Sequence, residues 1–552
     1  MSRALPVLGL CLPIAGCFGA TDGDQGGVWF QDEAAARGIE FRHRSGFAGR
    51  HLMPEIMGGG VALVDVDGDA DLDLYLVQSG SLYPDETAGE VDRSNRLYFN
   101  EAGTFEQAEG GHGAGDKGYG LGVAAGDYDN DGDVDLYVTN YGPNVLLRND
   151  GNGHFEDVTQ ASGVGDPGYS TAATFVDLDA DDDLDLFVVN YIHWDFAVER
   201  DCFIAGVLTY CPPTNYSAPM RDRLYRNNGD GTFTDTSAES GLNAAVGTGL
   251  GIASADFDGD SLTDVFVAND MMVNQLWLNR GGLRFVDEAA YRGVAVDSHG
   301  LAKSGMGVAA ADADDDGDTD VLVVNLAEQT DSFYRNEGAW FVDATEAVGL
   351  ATTSRRYTRF GVVLADFDND GRLDLFEANG GVAPSETKHE GDEFAEPNTL
   401  LRGTADGRFT EVLPAGGTAK TLIHTSRGLA VGDIDDDGGL DLVVGNRDAA
   451  PYLLMNRVPN RGNWIRFRVR TPAGRDAHGA TVSASIGTLR QYRRVAPEGS
   501  YVASSDPRVH FGLADETGVR EVTVQWATGE SESFGDFEAG RTYDIIQGGG
   551  TP

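Results

Sequence analysis

The stretch "GVAAGDYDNDGDVDLYVTN", residues 122–140, sets Asp127, Asp129, Asp131 and Asp135 between two short apolar runs. Four carboxylates within nine residues repel one another unless a cation sits among them. In a tight loop the side chains at positions 1, 3 and 5 converge, position 7 can turn its backbone carbonyl inward, and position 9 adds a fourth carboxylate. An all-oxygen cage of this size suits Ca²⁺, whereas Mg²⁺ is smaller and usually retains several waters. An EF-hand would need Glu at position 12, where this stretch has the apolar Val138, already part of a strand. The pattern therefore reads as a shorter calcium loop built into a β-hairpin.

The same loop recurs along the chain. Its seven copies carry Asp65, Asp67, Asp69 and Asp73; Asp127, Asp129, Asp131 and Asp135; Asp177, Asp179, Asp181 and Asp185; Asp256, Asp258, Asp260 and Asp264; Asp312, Asp314, Asp316 and Asp320; Asp366, Asp368, Asp370 and Asp374; and Asp433, Asp435, Asp437 and Asp441. A small, apolar run such as "GIASA" or "GLAVG" precedes each loop, and a β-type run such as "LFVVN" or "LVVGN" follows it. A third run ("LYFN", "LLRN", "LYRN", "LWLN", "FYRN", "LLRG" or "LLMN"), a glycine turn and a fourth run such as "FEDVT" or "FTDTS" complete most copies. Four antiparallel strands repeated every 50 to 80 residues or so predict an all-β, seven-bladed β-propeller whose small-residue first strands crowd the axis. The seventh copy lacks a fourth strand, and "VWFQDEAAARGIEF" near the amino terminus resembles one. Residues from Val28 to about Phe41 are expected to close the ring and remove its open edges. Glycine stands at position 6 in Gly132, Gly317, Gly371 and Gly438, but Ala70, Asp182 and Ser261 replace it, so loops one, three and four are expected to bind metal more weakly.

With 552 residues, 41% of them hydrophobic, the chain has material for a large core. Its formal charge of −49 argues against nucleic acid and anionic lipid as partners and in favour of cations. The beginning, "MSRALPVLGLCLPIAGC", has Arg3, an apolar run from Ala4 to Ala15 and a lipobox-like Ile-Ala-Gly-Cys, which predicts a secretory signal over 1–17 with Cys17 as lipid acceptor. A tether over 18–28, the propeller over 29–459 and a β-domain over 460–552 follow. Cys202 and Cys211 are the cysteines outside the signal and are expected to pair in an oxidising compartment. The envelope of a bacterium, at the outer membrane or cell surface, is the expected location, with periplasmic or secreted forms as alternatives. Membrane contact is expected only through the lipid.

"PEIMGGGVALVDVDGDADLDLYLVQ" and "DRLYRNNGDGTFTDTS" resemble FG-GAP (VCBS) repeats, and "RGNWIRFRVR" through "VREVTVQWATGE" resembles an ASPIC/UnbV domain. In that order they make the whole chain similar to the cartilage acidic protein family, as a bacterial secreted member. The resemblance implies extracellular calcium binding, up to seven ions, and adhesion or matrix interaction. Two departures are the loops without Gly and "QWATGE", where the family usually has Pro after Trp. Between Arg457 and His510 the C-terminal region carries ten Arg against Asp476, Glu498 and Asp506. Its alternating runs predict a small β-sandwich with one basic face, which either docks on the acidic propeller or binds a separate anion.

Because the calcium loops join strands one and two of each blade, the connectors between blades open on the other face. Those connectors are comparatively basic. Arg50, Lys117, Tyr119, Lys303, Arg355, Arg356, Arg359 and Arg427 are expected to form a cationic mouth for a glycan or protein ligand, an acidic one among them, unless nearby acids consume the charge. The rival is a propeller-based lyase or hydrolase using that same face, with His193, His299 and His424 as acid and base. No zinc-protease motif, nucleophile elbow or free mature cysteine supports it, so a binding and adhesion module is the expected function.

Overall fold

The computed structural model describes residues 27–83, 93–384, 389 and 391–551. The signal, the lipobox and Cys17 lie outside them. Seven four-stranded antiparallel sheets follow one another around an axis. Blade 2 is representative: Tyr119–Gly126, Asp135–Tyr141, Val145–Asn149 and Phe155–Asp157 run from the axis outward. Its first strand is buried throughout because blades flank it on both sides. Neighbouring blades share cores, as where Val64, Tyr75 and Val77 of blade 1 pack with Val123, Leu136 and Val138 of blade 2.

The ring closes where the repeat pattern places the closure. Phe30–Asp32 pairs antiparallel with Tyr452–Asn456, Phe30 opposite Asn456, as the outer strand of blade 7. Phe30 is fully buried, edge-to-face against Phe367 and Phe376 of blade 6.

The C-terminal region is a sandwich. One sheet contains Val509–Ala514, Asn463–Arg470 and Thr542–Ile546; the other contains Leu489–Arg494, Thr481–Ile486, Gly518–Gln525 and Ser531–Glu538. Ile465, Phe467, Val482, Phe511, Val524 and Trp526 fill the space between them. Of the two alternatives for its basic face, docking is the one observed: the sandwich lies on the side of the propeller that carries the acidic loops.

From that sandwich, residues 496–507 enter the propeller's axial channel. Ala503–Ser504 adds a parallel strand beside Val61 and Ala62 of blade 1. Ser500 pairs with Val308 of blade 5 and accepts through Oγ from the Val362 N–H of blade 6, while the Ser505 hydroxyl accepts from Val431 N–H of blade 7. Inner-strand N–H groups that would otherwise need water thus find protein partners. Tyr501 is fully buried at the far end, 4.9 Å between ring centres from Phe360, with its hydroxyl donating to Met57 Sδ. The small residues of the inner strands leave room for this plug. A Cβ on Gly307 would lie 2.0 Å from Phe360 O and 3.1 Å from Ser500 O.

Candidate metal centres

All seven loops share one backbone despite their different residues. Position 4 (Gly68, Asn130, Ala180, Gly259, Asp315, Asn369, Asp436) and position 6 have positive φ in every copy, including Ala70 at 77°, Asp182 at 68° and Ser261 at 68°. The three loops without glycine adopt the same turn, at a cost of roughly 1–2 kcal/mol each. The bend bars none of them from holding a metal.

In each turn the position-1 carboxylate accepts backbone N–H groups from within the loop, as Asp127 does from Asp131 and Gly132. Position 5 accepts from the N–H of position 7, as Asp131 does from Asp133. Position 9 spans the blade: Asp135 Oδ2 accepts from Tyr128 N–H at position 2, and Oδ1 from Asn149 N–H at the end of the third strand. The same two bonds recur at Asp73, Asp185, Asp264, Asp320, Asp374 and Asp441. Position 9 is therefore a hairpin lock as well as a candidate ligand.

Position 3 differs. Oδ1 of Asp67, Asp129, Asp179, Asp258, Asp368 and Asp435 is buried without any hydrogen-bond partner. Buried polar atoms are ordinarily satisfied, so six orphaned oxygens in equivalent places mark equivalent candidate cation positions. Ligand atoms of positions 1, 3 and 9 lie within 4.8 Å of one another in the first three loops, and those of positions 1, 3 and 5 do so in the fourth and fifth. Burial, followed by neighbouring carboxylates, pushes Asp73, Asp185, Asp264 and Asp320 up to about 8, and raises Asp135, Asp374 and Asp441 well above the usual range. The residues present fit a hard divalent cation.

A feature the sequence reading passed over joins loop to loop. The Asn that ends the third strand donates from Nδ2 both to the position-8 carbonyl of its own loop and to the position-2 carbonyl of the preceding blade. Asn149 thus reaches Val134 O and Val66 O, and Asn279 reaches Thr263 O and Leu178 O. Asn100, Asn227, Asn336 and Asn456 repeat this clamp, the last to Phe367 and the first back to Ile434 across the closure. Blade 6 has Gly403 at this place, where a Cβ would lie 2.3 Å from Leu373 O.

Five arginines of the sandwich face the position-1 aspartates of all seven loops. Arg466 pairs with Asp433 at 2.8 Å and Arg468 with Asp65 at 3.2 Å. Arg475 donates to Asn130 Oδ1 and Asp182 O, in the field of Asp127 and Asp177. Arg493 lies in the field of Asp312 and Asp366, and Arg494 in that of Asp256.

On the opposite face the eight predicted mouth residues do not assemble into a free cationic rim. Arg427 is fully buried, its guanidinium 3.8 Å from the Phe360 ring centre and spent on the carbonyls of Ile56, Gly380, Gly381 and Ser426. Arg359 is buried and paired with Asp331 at 2.6 Å. Lys303 donates to Thr330 and Ser332, Arg356 pairs with Glu411, and Tyr119 is buried with its hydroxyl on Ser45 O. Arg50, Lys117 and Arg355 are exposed. Nearby acids, the alternative named above, consume the charge of Arg356 and Arg359, while backbone carbonyls, which that reading did not name, hold Arg427. His193 and His299 are exposed, and His424 bonds the Tyr452 hydroxyl; the three sit on different connectors. The Cys202–Cys211 disulfide is present, Cα atoms 5.3 Å apart, in the insertion that covers part of this face.

A propeller with an acidic metal loop in each blade and an arginine-faced sandwich docked upon them defines a class before any comparison. The model of the FG-GAP-like repeat matches residues 65–138, 127–188, 201–267, 256–323 and 312–377, and that of ASPIC and UnbV matches residues 470–552. The chain belongs to the FG-GAP repeat family, carries an ASPIC/UnbV domain after its repeats, and is similar to cartilage acidic protein. It is 30% identical over 333 residues to cartilage acidic protein 1 of Xenopus tropicalis, covering 57% of this chain and 47% of that one. Against the Homo sapiens protein it is 31% identical over 304 residues, covering 54% and 44%. The chain thus spans about half the length of the curated relatives it matches. Among solved structures, one described as YCF48 bound to D1 peptide aligns with 8% identity and a TM-score of 0.38 over 72% of this chain and 91% of that one, too loose a likeness to carry an argument.

Proposed function

We propose that the protein is a calcium-stabilised binding module of an extracytoplasmic space that presents the face opposite its metal loops to a glycan or protein ligand. The observation that carries the calcium reading is the set of six buried, unpartnered position-3 oxygens. An all-oxygen, carboxylate-rich cage is calcium's chemistry, and the cation would supply the charge that burial otherwise withholds from positions 3 and 9. The disulfide and the predicted signal support the location. Among the described residues no helix is long and apolar enough to cross a membrane. The choice of face follows from occupancy: the sandwich covers the loop side and its plug fills the channel, so the connectors and insertions are what a partner would meet.

Two measurements test this. Equilibrium dialysis of the full chain should find several bound calcium ions, and chelation should lower the thermal midpoint by tens of degrees. Each site contributes about 4 kcal/mol when free calcium exceeds its Kd a thousandfold. Immobilised polysaccharides and matrix proteins, probed with and without calcium and checked for new reducing or unsaturated ends, should retain the protein without product. Absence of bound calcium defeats the first half of the reading; product formation defeats the second.

A further inference from the structure

At the mouth opposite the metal loops, a cavity of about 480 Å³ opens beside the end of the plug. Its walls come from several blades and from the disulfide insertion, and they are largely apolar: Met57, Met306 and Phe360 line it, with Pro212 and Pro213 of the insertion. Its size and character are those of a small-ligand pocket with a few fixed polar groups. What sets it apart is the sign of those groups.

Two carboxylates line the cavity, Asp270 of blade 4 and Glu396 of the blade 6 insertion. Asp270 accepts from the Tyr191 hydroxyl at 2.8 Å and has no ion-pair partner among the described residues. Glu396 accepts from Thr358 N–H at 2.8 Å. The cations whose field reaches Glu396, Arg427 and Arg359, direct their donors elsewhere: Arg427 to four carbonyls, Arg359 to Asp331 and to the Tyr357 and Gln329 carbonyls. Behind the wall, on the 3-10 turn Met53–Ile56, Glu55 is fully buried and its Oε1 meets no donor. Burial raises Asp270 to about 6 and Glu396 to about 7, in Glu396 against the opposing fields of Arg427 and Arg359.

An anion entering this space would lose its hydration and meet like charge. A cation with an apolar stem would satisfy both the walls and the carboxylates. We propose that this cavity is a binding site for an ammonium or guanidinium group carried on an apolar stem, either the basic side chain of a partner protein or a free organic amine. The inference rests on the reading of this face as the binding face, and it reverses the sign of ligand that the basic connectors suggest.

The test uses the full chain in calcium and isothermal titration with phenethylammonium, its neutral analogue 2-phenylethanol and its anionic analogue 3-phenylpropionate. A lysine-bearing peptide and its norleucine counterpart form the second arm. The ammonium should bind at least tenfold more tightly than either analogue, and Asp270→Asn and Glu396→Gln should each weaken it about tenfold, or about 1.4 kcal/mol, while leaving the calcium-dependent thermal midpoint in place. A preference for the lysine peptide over the free amine names a protein partner as the source; the reverse names a small molecule. Equal binding of the carboxylate, or amide variants that bind as the parent does, overturns the site. A surface ligand from the wider panel that ignores both variants would leave the binding module standing and remove the cavity from it. Amine binding without any surface ligand would do the opposite.

Discussion

The two faces of this propeller handle charge in opposite ways. On the loop face 28 repeated aspartates are gathered, loop by loop, in a geometry that fits a cation, and arginines of the docked sandwich answer them from outside. On the opposite face two of the basic residues, Arg359 and Arg427, are turned inward and become scaffold, and carboxylates line the cavity. A residue's charge on the sequence is thus a poor guide to the sign of the surface it ends on. Repetition is a better guide, because seven equivalent loops constrain one another's geometry and single connectors do not.

The plug joins the two faces, and removing its tip is the most disruptive way to separate them. Tyr501→Ala deletes a fully buried ring at the far end of the channel, 4.9 Å from Phe360. It should destabilise by about 4 kcal/mol, as large-to-small aromatic truncations in cores do. Tyr501→Phe, which loses only the hydroxyl donated to Met57 Sδ, should cost less than about 1 kcal/mol. Urea unfolding followed separately for propeller and sandwich checks this. If the alanine variant unfolds with the parent's midpoint, the plug is a passive filler.

The second test asks whether arginine and metal share the loop-face work. Arg466 is nearly fully buried and pairs with Asp433 at position 1 of loop seven. Arg466→Met leaves that carboxylate without its arginine, at about 3 kcal/mol in chelator by analogy with other broken buried pairs. In calcium the ion neutralises the same loop, and the loss should shrink to about 1 kcal/mol. Denaturant midpoints of parent and variant in both conditions form a cycle. A loss equal in the two conditions would mean that arginine and metal act independently.

What could be read in advance follows the same division. The aspartate period exposes blade number, loop position and the closing strand, because the 1-3-5-9 spacing has a direct geometric meaning. The asparagine clamp was in view as a repeated strand-final letter in six of seven copies, but its partners lie one blade away. The plug, "APEGSYVASSDP", has no periodicity, and what it touches is scattered from Val61 to Val431. Burial of Arg427 depends on carbonyls at Ile56 and Gly380, which no local pattern connects to it.

The smallest expected effect is the pH response of the docked face. His478 is buried and His510 half-buried where the sandwich meets the propeller, bonded to Phe175 O and Asn369 Oδ1. Burial lowers His478 to about 4, and burial with Arg466 and Arg493 beside it lowers His510 to about 3. Both are neutral in the folded protein while the unfolded chain takes up protons below about 6.5. Their stabilisation is therefore complete above pH 6.5 and declines as pH falls toward the folded values. Between pH 7 and 5.5 the loss should be about 1 kcal/mol for each imidazole. His43, lowered to about 4 by burial on the opposite side, adds a similar slope of its own. His478→Gln and His510→Gln should flatten the part that belongs to docking, while His43→Gln should flatten only the remainder. The stability profiles of the three variants thereby separate the imidazoles of the two faces, and a profile unchanged by the first pair would show that the docked imidazoles do not carry the acid response.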